Sequence, residues 1–382
     1  MISYGRQDIT QTDIDAVVKV LLSENLTQGP TIGEFERAVC ARVGVHHAVA
    51  ANSATSALHI ACLALDLGPG DRLWTVPNTF VASANCGRYC GADVDFVDID
   101  PTSMNLSVPC LKEKLVRARR EQNLPKVVVP VHFAGQPTDQ EAIWELSREF
   151  GFKVLEDASH AIGASRNGEP VGSCRWSDIT VFSFHPVKII TTAEGGMALT
   201  NDAMLAQRML MLRSHGITRD PKLLHVHASA PRWYYEQQML GFNYRLSDIH
   251  AALGLSQLQR LDSYLARRQE LALRYDALLA GLPVRRPQLA SGNVSSWHLY
   301  VIHVAGDRRA VFDAMRAQDI LVNVHYMPVH LQPYYRLPER AEGSFPEAER
   351  HGNEAITLPL HPQLTVEDQD YVVSVLSRAL GC

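Results

Sequence analysis

The sequence predicts an α/β fold with a mostly parallel sheet, followed by a smaller α+β lobe. Short apolar segments alternate with helical stretches from residue 47 to residue 200, which is the pattern of a parallel sheet covered by helices. Several of these segments, such as Val127–Val131 (VVVPV), are apolar throughout, as strands buried on both faces are. After about residue 203 the alternation stops, and strands return only in the last hundred or so residues.

The predicted elements follow in chain order. A first helix opens at Thr12, with apolar positions near helical spacing at Ile14, Val17, Val18, Leu21 and Leu22. Seven strands are predicted for the large sheet: His47–Ala51, Arg72–Val76, Val94–Asp98, Val127–His132, Lys153–Glu156, Ile179–Ser183 and Met197–Thr200. The helices predicted between them are Ser56–Leu67, Ala82–Cys90, Pro109–Gln122 and Thr138–Phe150.

The remainder of the chain predicts a different arrangement. It contains a helix at Ala203–Ser214, a polar and aromatic loop at Leu224–Leu240 and a long helical stretch at Leu246–Leu279. The C-terminal lobe is predicted to hold strands His298–Val304, Leu321–His325 and Ile356–Leu358, with helices Arg308–Gln318 and Val366–Leu380. We therefore expect a large domain over 1–250 and a small domain over 251–382, which begins with a long connecting helix.

Composition argues against several classes of protein. The chain has 36 Lys and Arg against 41 Asp and Glu, a net charge of −5, and its nearest approach to a basic run, Arg117–Glu121, ends in an acid. Nucleic acid and anionic membranes are therefore not expected partners. The seven cysteines are odd in number and scattered, which indicates reduced thiols, and Cys86 and Cys90 lack a second pair at zinc spacing. With no signal-peptide pattern and no apolar run of about 18 residues, we expect a soluble cytoplasmic protein without a metal site.

A candidate catalytic lysine follows the strand predicted at Ile179–Ser183. In the segment Val181–Gly196 (VFSFHPVKIITTAEGG), Lys188 lies among apolar and small residues. Complete burial lowers the pKa of a lysine by up to about 3–5 units, and a neutral amine can form a Schiff base with a carbonyl. A lysine after a strand is more often a surface charge, so this segment alone leaves both interpretations open.

Other polar residues also follow predicted strands. Asp157 and His160 come at the end of an apolar strand, where ligands of parallel sheets collect, and a buried carboxylate there can hold a protonated ring nitrogen. The small residues before the helix at Ser56, including Ala54 and Thr55, precede free N–H groups that can bind a phosphate. Phe80 can stack on a flat ring. Each feature also has a purely structural interpretation. The acid at the strand end can cap the next turn, the small residues can simply cap the helix, and Phe80 can be a core residue.

Taken in order, these motifs resemble the DegT/DnrJ/StrS family of sugar aminotransferases, which have the PLP-dependent transferase fold type I of aspartate aminotransferase. The similarity extends from Leu26–Gly29 to the C-terminal helix and includes Leu212–Gly216 and Gly241–Leu255. The resemblance implies that pyridoxal 5′-phosphate (PLP) is the cofactor, with Lys188 and Asp157 catalytic and in contact with it. The other cofactor-binding residues that it implies are His160, Phe80, Ala54, Thr55, Ser56, Ser183 and Asn243. The implied substrate-binding residues are Tyr4, Glu24, Asn25, Leu26, Thr27, Ala54, Ser183, Asn243, Val324, His325 and Tyr326.

The resemblance also implies a reaction. Residues 184–196 and Val324–Tyr334 are most similar to the family members of the pseudaminic acid pathway. These transfer an amino group from L-glutamate to C4 of a UDP-linked 4-keto-6-deoxy-N-acetylhexosamine, giving UDP-4-amino-4,6-dideoxy-N-acetyl-β-L-altrosamine. The alternatives are a C4 aminotransferase for a dTDP- or GDP-linked 4-keto sugar, a PLP-dependent sugar dehydratase, in which His replaces Lys188, and a binding protein without catalysis. Asn243 is expected to reach the cofactor phosphate of a neighbouring subunit, so a homodimer with shared active sites is implied.

Overall fold

The computed structural model describes residues 1–225, 231 and 233–382. Its strands are β1 (Ile2–Ser3), β2 (His47–Ala51), β3 (Arg72–Thr75), β4 (Asp93–Phe96), β5 (Val127–Val129), β6 (Lys153–Asp157), β7 (Ser165–Arg166), β8 (Glu169–Pro170), β9 (Ile179–Ser183), β10 (Gly196–Thr200), β11 (Ile217–Thr218), β12 (Glu236–Gln237), β13 (Val284–Arg285), β14 (Asn293–Val294), β15 (Tyr300–Val304), β16 (Ile320–Leu321) and β17 (Ala355–Leu358).

The α-helices of the described residues are α1 (Gln11–Leu21), α2 (Pro30–Val43), α3 (Ala54–Ala64), α4 (Ala82–Tyr89), α5 (Val108–Arg120), α6 (Gln140–Phe150), α7 (Ala203–Arg213), α8 (Asp248–Leu258), α9 (Leu261–Leu278), α10 (Arg308–Arg316), α11 (Pro346–Glu354) and α12 (Val366–Ala379). Short 3₁₀ turns lie at Phe133–Gly135, Val329–Leu331 and Pro338–Arg340. In the described part of the chain, no helix is long and apolar enough to cross a membrane.

A seven-stranded sheet forms the centre of the fold, in the order β2-β10-β9-β6-β5-β3-β4. The pairs from β9 to β4 are parallel, whereas β10 pairs antiparallel with both β9 and β2. One strand therefore runs against the other six, which confirms the predicted mostly parallel sheet. The reversal has a simple cause, because residues 184–195 join β9 to β10 without the crossover helix that a parallel neighbour requires.

Both faces of this sheet are covered. In β5, Val127 and Val129 pack with α3 and α4, whereas Val128 packs on the opposite face with residues of α5 and α6. Successive strand side chains point to opposite faces, so an entirely apolar strand supplies both cores. This burial explains why the apolar segments identified strands correctly.

The order of the sheet determines where a site can form. The carboxyl ends of β3, β5, β6 and β9 meet at one edge, and α3 begins at the same edge after β2. Gly196 opens β10 there, and a Cβ on it would lie 2.4 Å from the backbone nitrogen of Ala54. Only glycine allows this strand to pass so close to the start of α3.

The C-terminal part of the chain forms a three-stranded antiparallel sheet, β13-β15-β17, with its own core. The predicted stretch Leu246–Leu279 divides at residues 259–260 into α8 and α9, and α8 packs against α1 and α2. Strand β1 pairs with β16, so the first residues of the chain join the C-terminal lobe. The division into domains at residue 250 stays a prediction.

The predicted first helix forms, at Gln11–Leu21, but four of the apolar residues that indicated it are exposed: Ile14, Val18, Leu21 and Leu22. The helix is instead anchored by Asp13, which is fully buried and accepts hydrogen bonds from Ser256 Oγ (2.6 Å) and Gln257 Nε2 (2.9 Å). A polar contact with α8 thus overrides the apolar spacing.

Some predicted boundaries also differ. The helix expected from Thr138 begins at Gln140, and the Thr138 amide donates to His132 Nδ1 (3.0 Å). The strand expected over Leu321–His325 is limited to Ile320–Leu321, since the chain then turns to line a cavity. Within the predicted loop Leu224–Leu240, residues 226–230 and 232 lie outside the described residues, and the rest includes β12.

Candidate functional site

A cavity of about 450 Å³ opens where the parallel strands end. Its walls come from the segments after β2, β3, β6 and β9 and from the C-terminal lobe. Eleven of the residues predicted to form the site line it: Tyr4, Ala54, Thr55, Phe80, Asp157, His160, Ser183, Lys188, Val324, His325 and Tyr326. The structure thus brings together residues that are more than 300 positions apart in the sequence.

Lys188 lies in the loop between β9 and β10. Its amide donates to the carbonyl of His185 (2.9 Å), and the next residues, Ile189 and Ile190, are buried. Although part of its side chain is exposed, burial lowers the pKa of the Lys188 amine to about 8, against the opposing effect of the negative charge of Asp157. At this pKa about a tenth of the amine is neutral at pH 7, and the neutral amine is the nucleophile.

Asp157 ends β6 and is 4% exposed. Its Oδ2 accepts a hydrogen bond from Ser83 Oγ (2.6 Å), and its Oδ1 accepts from the amide (3.1 Å) and hydroxyl (2.5 Å) of Ser159. Ser83 in turn is 2.8 Å from the hydroxyl of Thr79. Three donors hold the carboxylate in one orientation.

His160 is held as a neutral imidazole beside this acid. Its Nδ1 accepts a hydrogen bond from the Ala134 amide (3.3 Å), and its Nε2 lies 3.2 Å from the hydroxyl of Tyr326. Burial, together with the charge of Lys188, lowers the pKa of His160 well below its usual value. The neutral tautomer that fits carries its proton on Nε2, where it points toward the Tyr326 hydroxyl.

His325 and Tyr326 enter the site from the C-terminal lobe through a cis peptide bond. His325 Nδ1 is 2.8 Å from the hydroxyl of Thr357, and burial lowers the pKa of His325 to about 3. Burial also raises the pKa of the Tyr326 hydroxyl, which keeps its proton. Both side chains therefore remain neutral at physiological pH and serve as hydrogen-bonding groups.

The start of α3 forms a cradle of small groups. Ser53 caps the helix by accepting a hydrogen bond from the Ser56 amide (3.1 Å) and also lines the cavity, as do Ala54 and Thr55. Across from them lies Ser183, 8% exposed. Unpaired N–H groups and the positive end of a helix favour a phosphate at such a position.

Phe80 is at the rim of the cavity. It is 58% exposed, and its ring centroid lies 6.4 Å from that of Tyr326. The alternative of a core phenylalanine is therefore wrong, and an exposed ring face is available to a ligand.

Several predicted residues do not line this cavity. The hydroxyl of Ser56 donates to Asn52 Oδ1 (2.7 Å) within the loop before α3. Glu24, Asn25, Leu26, Thr27 and Asn243 are exposed. These two surface segments run side by side, since Thr27 pairs with Ser247 and the amide of Asp248 donates to the carbonyl of Leu26 (3.0 Å).

Sequence reasoning missed other residues of the wall, notably Ser53, Thr79, Ser159, His298 and Asn323. Ser159 lies within the motif that contains Asp157 and His160, so it could have been predicted as a site residue from its position. His298 carried no such sequence signal, yet its ring centroid lies 4.4 Å from that of His160, with the two rings tilted by 42°. His185 and Glu194, in the same segment as Lys188, also line the cavity and are exposed.

These residues fit the cofactor that the resemblance implies. PLP requires an amine for covalent attachment, an acid for its ring nitrogen and a site for its phosphate. Lys188, Asp157 and the start of α3 supply these groups in one cavity. The cradle depends on Gly196, whose missing Cβ leaves room for the backbone at Ala54.

Comparison with known proteins agrees with this geometry. Residues 7–377 match the model of the DegT/DnrJ/EryC1/StrS aminotransferase family. The spore coat polysaccharide biosynthesis protein SpsC of Bacillus subtilis (strain 168) is 37% identical over 381 residues, which cover 98% of this chain and 95% of SpsC.

Solved structures are also similar along the whole chain. PseC of Helicobacter pylori, an aminotransferase involved in the biosynthesis of pseudaminic acid, has a TM-score of 0.91 and 31% identity, covering 100% of this chain and 99% of PseC. The PLP form of Spr1654 from Streptococcus pneumoniae, a sugar aminotransferase by its description, has a TM-score of 0.89 and 30% identity, covering 100% and 98%. The fold is thus that of the PLP-dependent transferases of fold type I, and the chain belongs to the DegT/DnrJ/EryC1/StrS family of PLP-dependent aminotransferases.

Proposed function

We propose that this chain is a sugar aminotransferase that transfers an amino group from L-glutamate to C4 of a UDP-linked 4-keto-6-deoxy-N-acetylhexosamine. The product is UDP-4-amino-4,6-dideoxy-N-acetyl-β-L-altrosamine. The observation that carries the proposal is the cavity that combines Lys188 and Asp157 with His325 and Tyr326. The similarity to PseC over the whole chain supports the choice of sugar. A cytoplasmic location stays a prediction.

In the proposed mechanism, bound PLP supplies an electron sink for the electron pair left when a C–H bond breaks. Lys188 would hold the cofactor, and its neutral amine would remove the proton from the α-carbon of the amino donor. Lys188 later delivers a proton to C4 of the sugar. Asp157, held by Ser83 and Ser159, keeps the cofactor ring nitrogen protonated.

The remaining site residues position these groups. Phe80 offers a ring face to the cofactor, and His160 together with Tyr326 forms a neutral hydrogen-bonding pair beside it. Thr55, Ser183 and Ser53 line the cavity and would hold the phosphate. Tyr4, Val324 and His325 line it as well and would contact the sugar nucleotide.

We infer that the active site is completed by a second copy of the chain. Asn243 and Glu24–Thr27 are exposed and do not line the cavity of their own chain, and Thr27 pairs with Ser247, four residues after Asn243. In a homodimer, this surface contributes Asn243 to the partner cofactor's phosphate and Glu24–Thr27 to the partner's sugar pocket. Ser56 supports the cradle at the start of α3, where its amide donates to Ser53 Oγ.

A second candidate is the C4 amination of another nucleotide-linked 4-keto-6-deoxy sugar, with dTDP or GDP as the carrier. The 37% sequence identity with SpsC, a spore coat polysaccharide biosynthesis protein, supports this second candidate. A sugar dehydratase is disfavoured because the chain has a lysine at position 188, where such relatives have His.

One experiment separates these functions. The PLP-loaded enzyme is first converted to its aminated form with L-glutamate, which changes the absorption spectrum. UDP-, dTDP- and GDP-linked 4-keto-6-deoxy sugars are then added separately, and we expect only the UDP-linked N-acetyl sugar to restore the original spectrum, with an amino sugar of the expected mass. Restoration by a dTDP- or GDP-linked sugar alone would contradict the choice of nucleotide, and a deoxygenated product would identify a dehydratase. Lys188→Ala is the inactive control.

A further inference from the structure

A second cavity, of about 260 Å³, shares no lining residue with the first. It lies between the segment after β4, which includes Pro101–Met104, and the segment Arg285–Leu289, which begins at the last residue of β13. A water molecule occupies about 30 Å³ of liquid, so the cavity can hold a small organic molecule. Nothing in the proposed reaction uses it.

The lining combines an apolar wall with positive charge. Its apolar side chains are Met104, Phe133, Leu289, Trp297, Leu299 and Val301. Arg285 and Arg286 also line it, and none of its described lining residues is an Asp or Glu. This is the composition of a pocket that takes an apolar body with an anionic group.

One nitrogen of the Arg285 guanidinium has no hydrogen-bond partner among the described residues. Its Nη1 donates to the carbonyl of Pro101 (2.6 Å), while Nη2 lies 3.7 Å from Glu354 Oε2 and has no hydrogen-bond partner among the described residues. Burial and the neighbouring charge of Arg350 lower the pKa of Arg285. The charges of Glu354 and Glu347 act in the opposite direction, and the unpaired Nη2 remains available to an additional anion.

His303 stands directly beside this arginine. The two residues pair across strands β13 and β15, so their side chains emerge next to each other on one face. His303 is 5% exposed and lines the cavity, and its Nδ1 has no hydrogen-bond partner among the described residues.

The free nitrogen of His303 is an acceptor. His351 Nε2 donates to the carbonyl of His325 (2.8 Å), so a neutral His351 must accept at Nδ1 the hydrogen bond from His303 Nε2 (2.9 Å). Burial lowers the pKa of His351 to about 4, which keeps it neutral. His303 Nδ1 is then left with an unshared electron pair, which requires a donor.

We propose that this cavity is a second ligand site, which binds a small 2-hydroxy carboxylate with an apolar side chain. The carboxylate pairs with Arg285 and Arg286, the hydroxyl donates to His303 Nδ1, and the apolar side chain packs against Phe133 and Trp297. A 2-amino acid has the same arrangement of groups, but its ammonium is disfavoured beside Arg285, Arg286 and the nearby Arg350.

Titration calorimetry on the PLP-loaded enzyme tests this proposal with 3-phenyllactate as the probe. We expect saturable binding, weakened about tenfold or more when the hydroxyl is removed (3-phenylpropanoate) or the carboxylate is replaced by an amide (3-phenyllactamide). L-Phenylalanine should also bind more weakly. Equal affinity for 3-phenyllactate and 3-phenylpropanoate would overturn the role of His303.

Variants locate the binding site. Arg285→Gln and, as a milder change at a more exposed position, Arg286→Gln should each weaken binding of 3-phenyllactate about tenfold or more. Neither residue lines the first cavity, so the reconversion of the aminated enzyme by its keto sugar reports separately on the proposed function. Arg309→Gln, at a side chain that is 89% exposed on α10, is the matched control and should bind normally. Absence of saturable binding up to about 10 mM, or binding unchanged in both variants, would overturn the proposal.

Discussion

Gly196→Ala should damage the cofactor site without changing any group that contacts a substrate. A Cβ at this position would lie 2.4 Å from the nitrogen and 2.5 Å from the Cα of Ala54. Non-bonded carbon atoms pack at about 3.5–4.0 Å, so the start of α3 or strand β10 must move by about 1 Å. Both neighbours are backbone, which cannot rotate away as a side chain can.

The size of the effect follows from this displacement. Overpacking of a buried position costs about 1–3 kcal/mol, which a protein of ordinary stability, about 5–15 kcal/mol, tolerates. Loss of one charge-assisted hydrogen bond to a phosphate costs about 1.5–3 kcal/mol. We therefore expect PLP to bind about 10- to 100-fold more weakly, together with a measurable fall in Tm.

Equilibrium titration of the apoenzyme with PLP, followed by absorbance, measures the affinity, and calorimetry measures Tm. Gly68→Ala is the control, because a Cβ at Gly68 meets no atom within 4 Å. Should Gly196→Ala bind PLP as tightly as the unchanged enzyme, the close contact between β10 and α3 would not matter to the phosphate, and the cradle would be misassigned.

Buried ionisable groups give three further expectations. The rate at which the apoenzyme captures PLP should increase as the pH rises through about 8, the pKa of Lys188. Because the charge of Asp157 raises that pKa, Asp157→Asn should move the midpoint to lower pH in stopped-flow absorbance. An unchanged midpoint would contradict the charge interaction between Asp157 and Lys188. His361 is buried and its pKa is lowered to about 4. The free energy of unfolding should therefore be highest above about pH 6.5 and should fall by up to about 1.4 kcal/mol per pH unit as the pH drops toward 4. In urea unfolding, His361→Gln should reduce this dependence on pH, and an equal dependence in the variant would refute the assignment. Arg268 is 1% exposed and donates hydrogen bonds to the carbonyls of Trp297, His298 and Leu360. Arg268→Met should therefore lower the free energy of unfolding by about 3 kcal/mol. The exposed control Arg309→Met should change it by less than about 0.5 kcal/mol.

The sequence was sufficient to predict the central sheet because its signals are local. Strands such as β5 and β9 are apolar on both faces. Because both faces are buried, these segments can be identified as strands from the sequence. Lys188, Asp157 and Phe80 could be placed near one another for a related reason, since each follows a strand whose carboxyl end lies at the same edge.

What the sequence did not reveal depends on contacts between distant segments. The first helix has apolar residues at helical spacing, yet it docks through Asp13 because α8 offers Ser256 and Gln257 as donors. His298 enters the site only because the C-terminal lobe folds back beside His160. No local pattern reports contacts of this kind.

The most direct test of the account is chemical trapping at Lys188. The enzyme is loaded with PLP, reduced with borohydride, digested and analysed by mass spectrometry, with Lys188→Ala treated in parallel. The account predicts a pyridoxyl mass on the peptide that contains Lys188 and none in the variant. A modified peptide elsewhere, or an unmodified peptide at position 188, would contradict it.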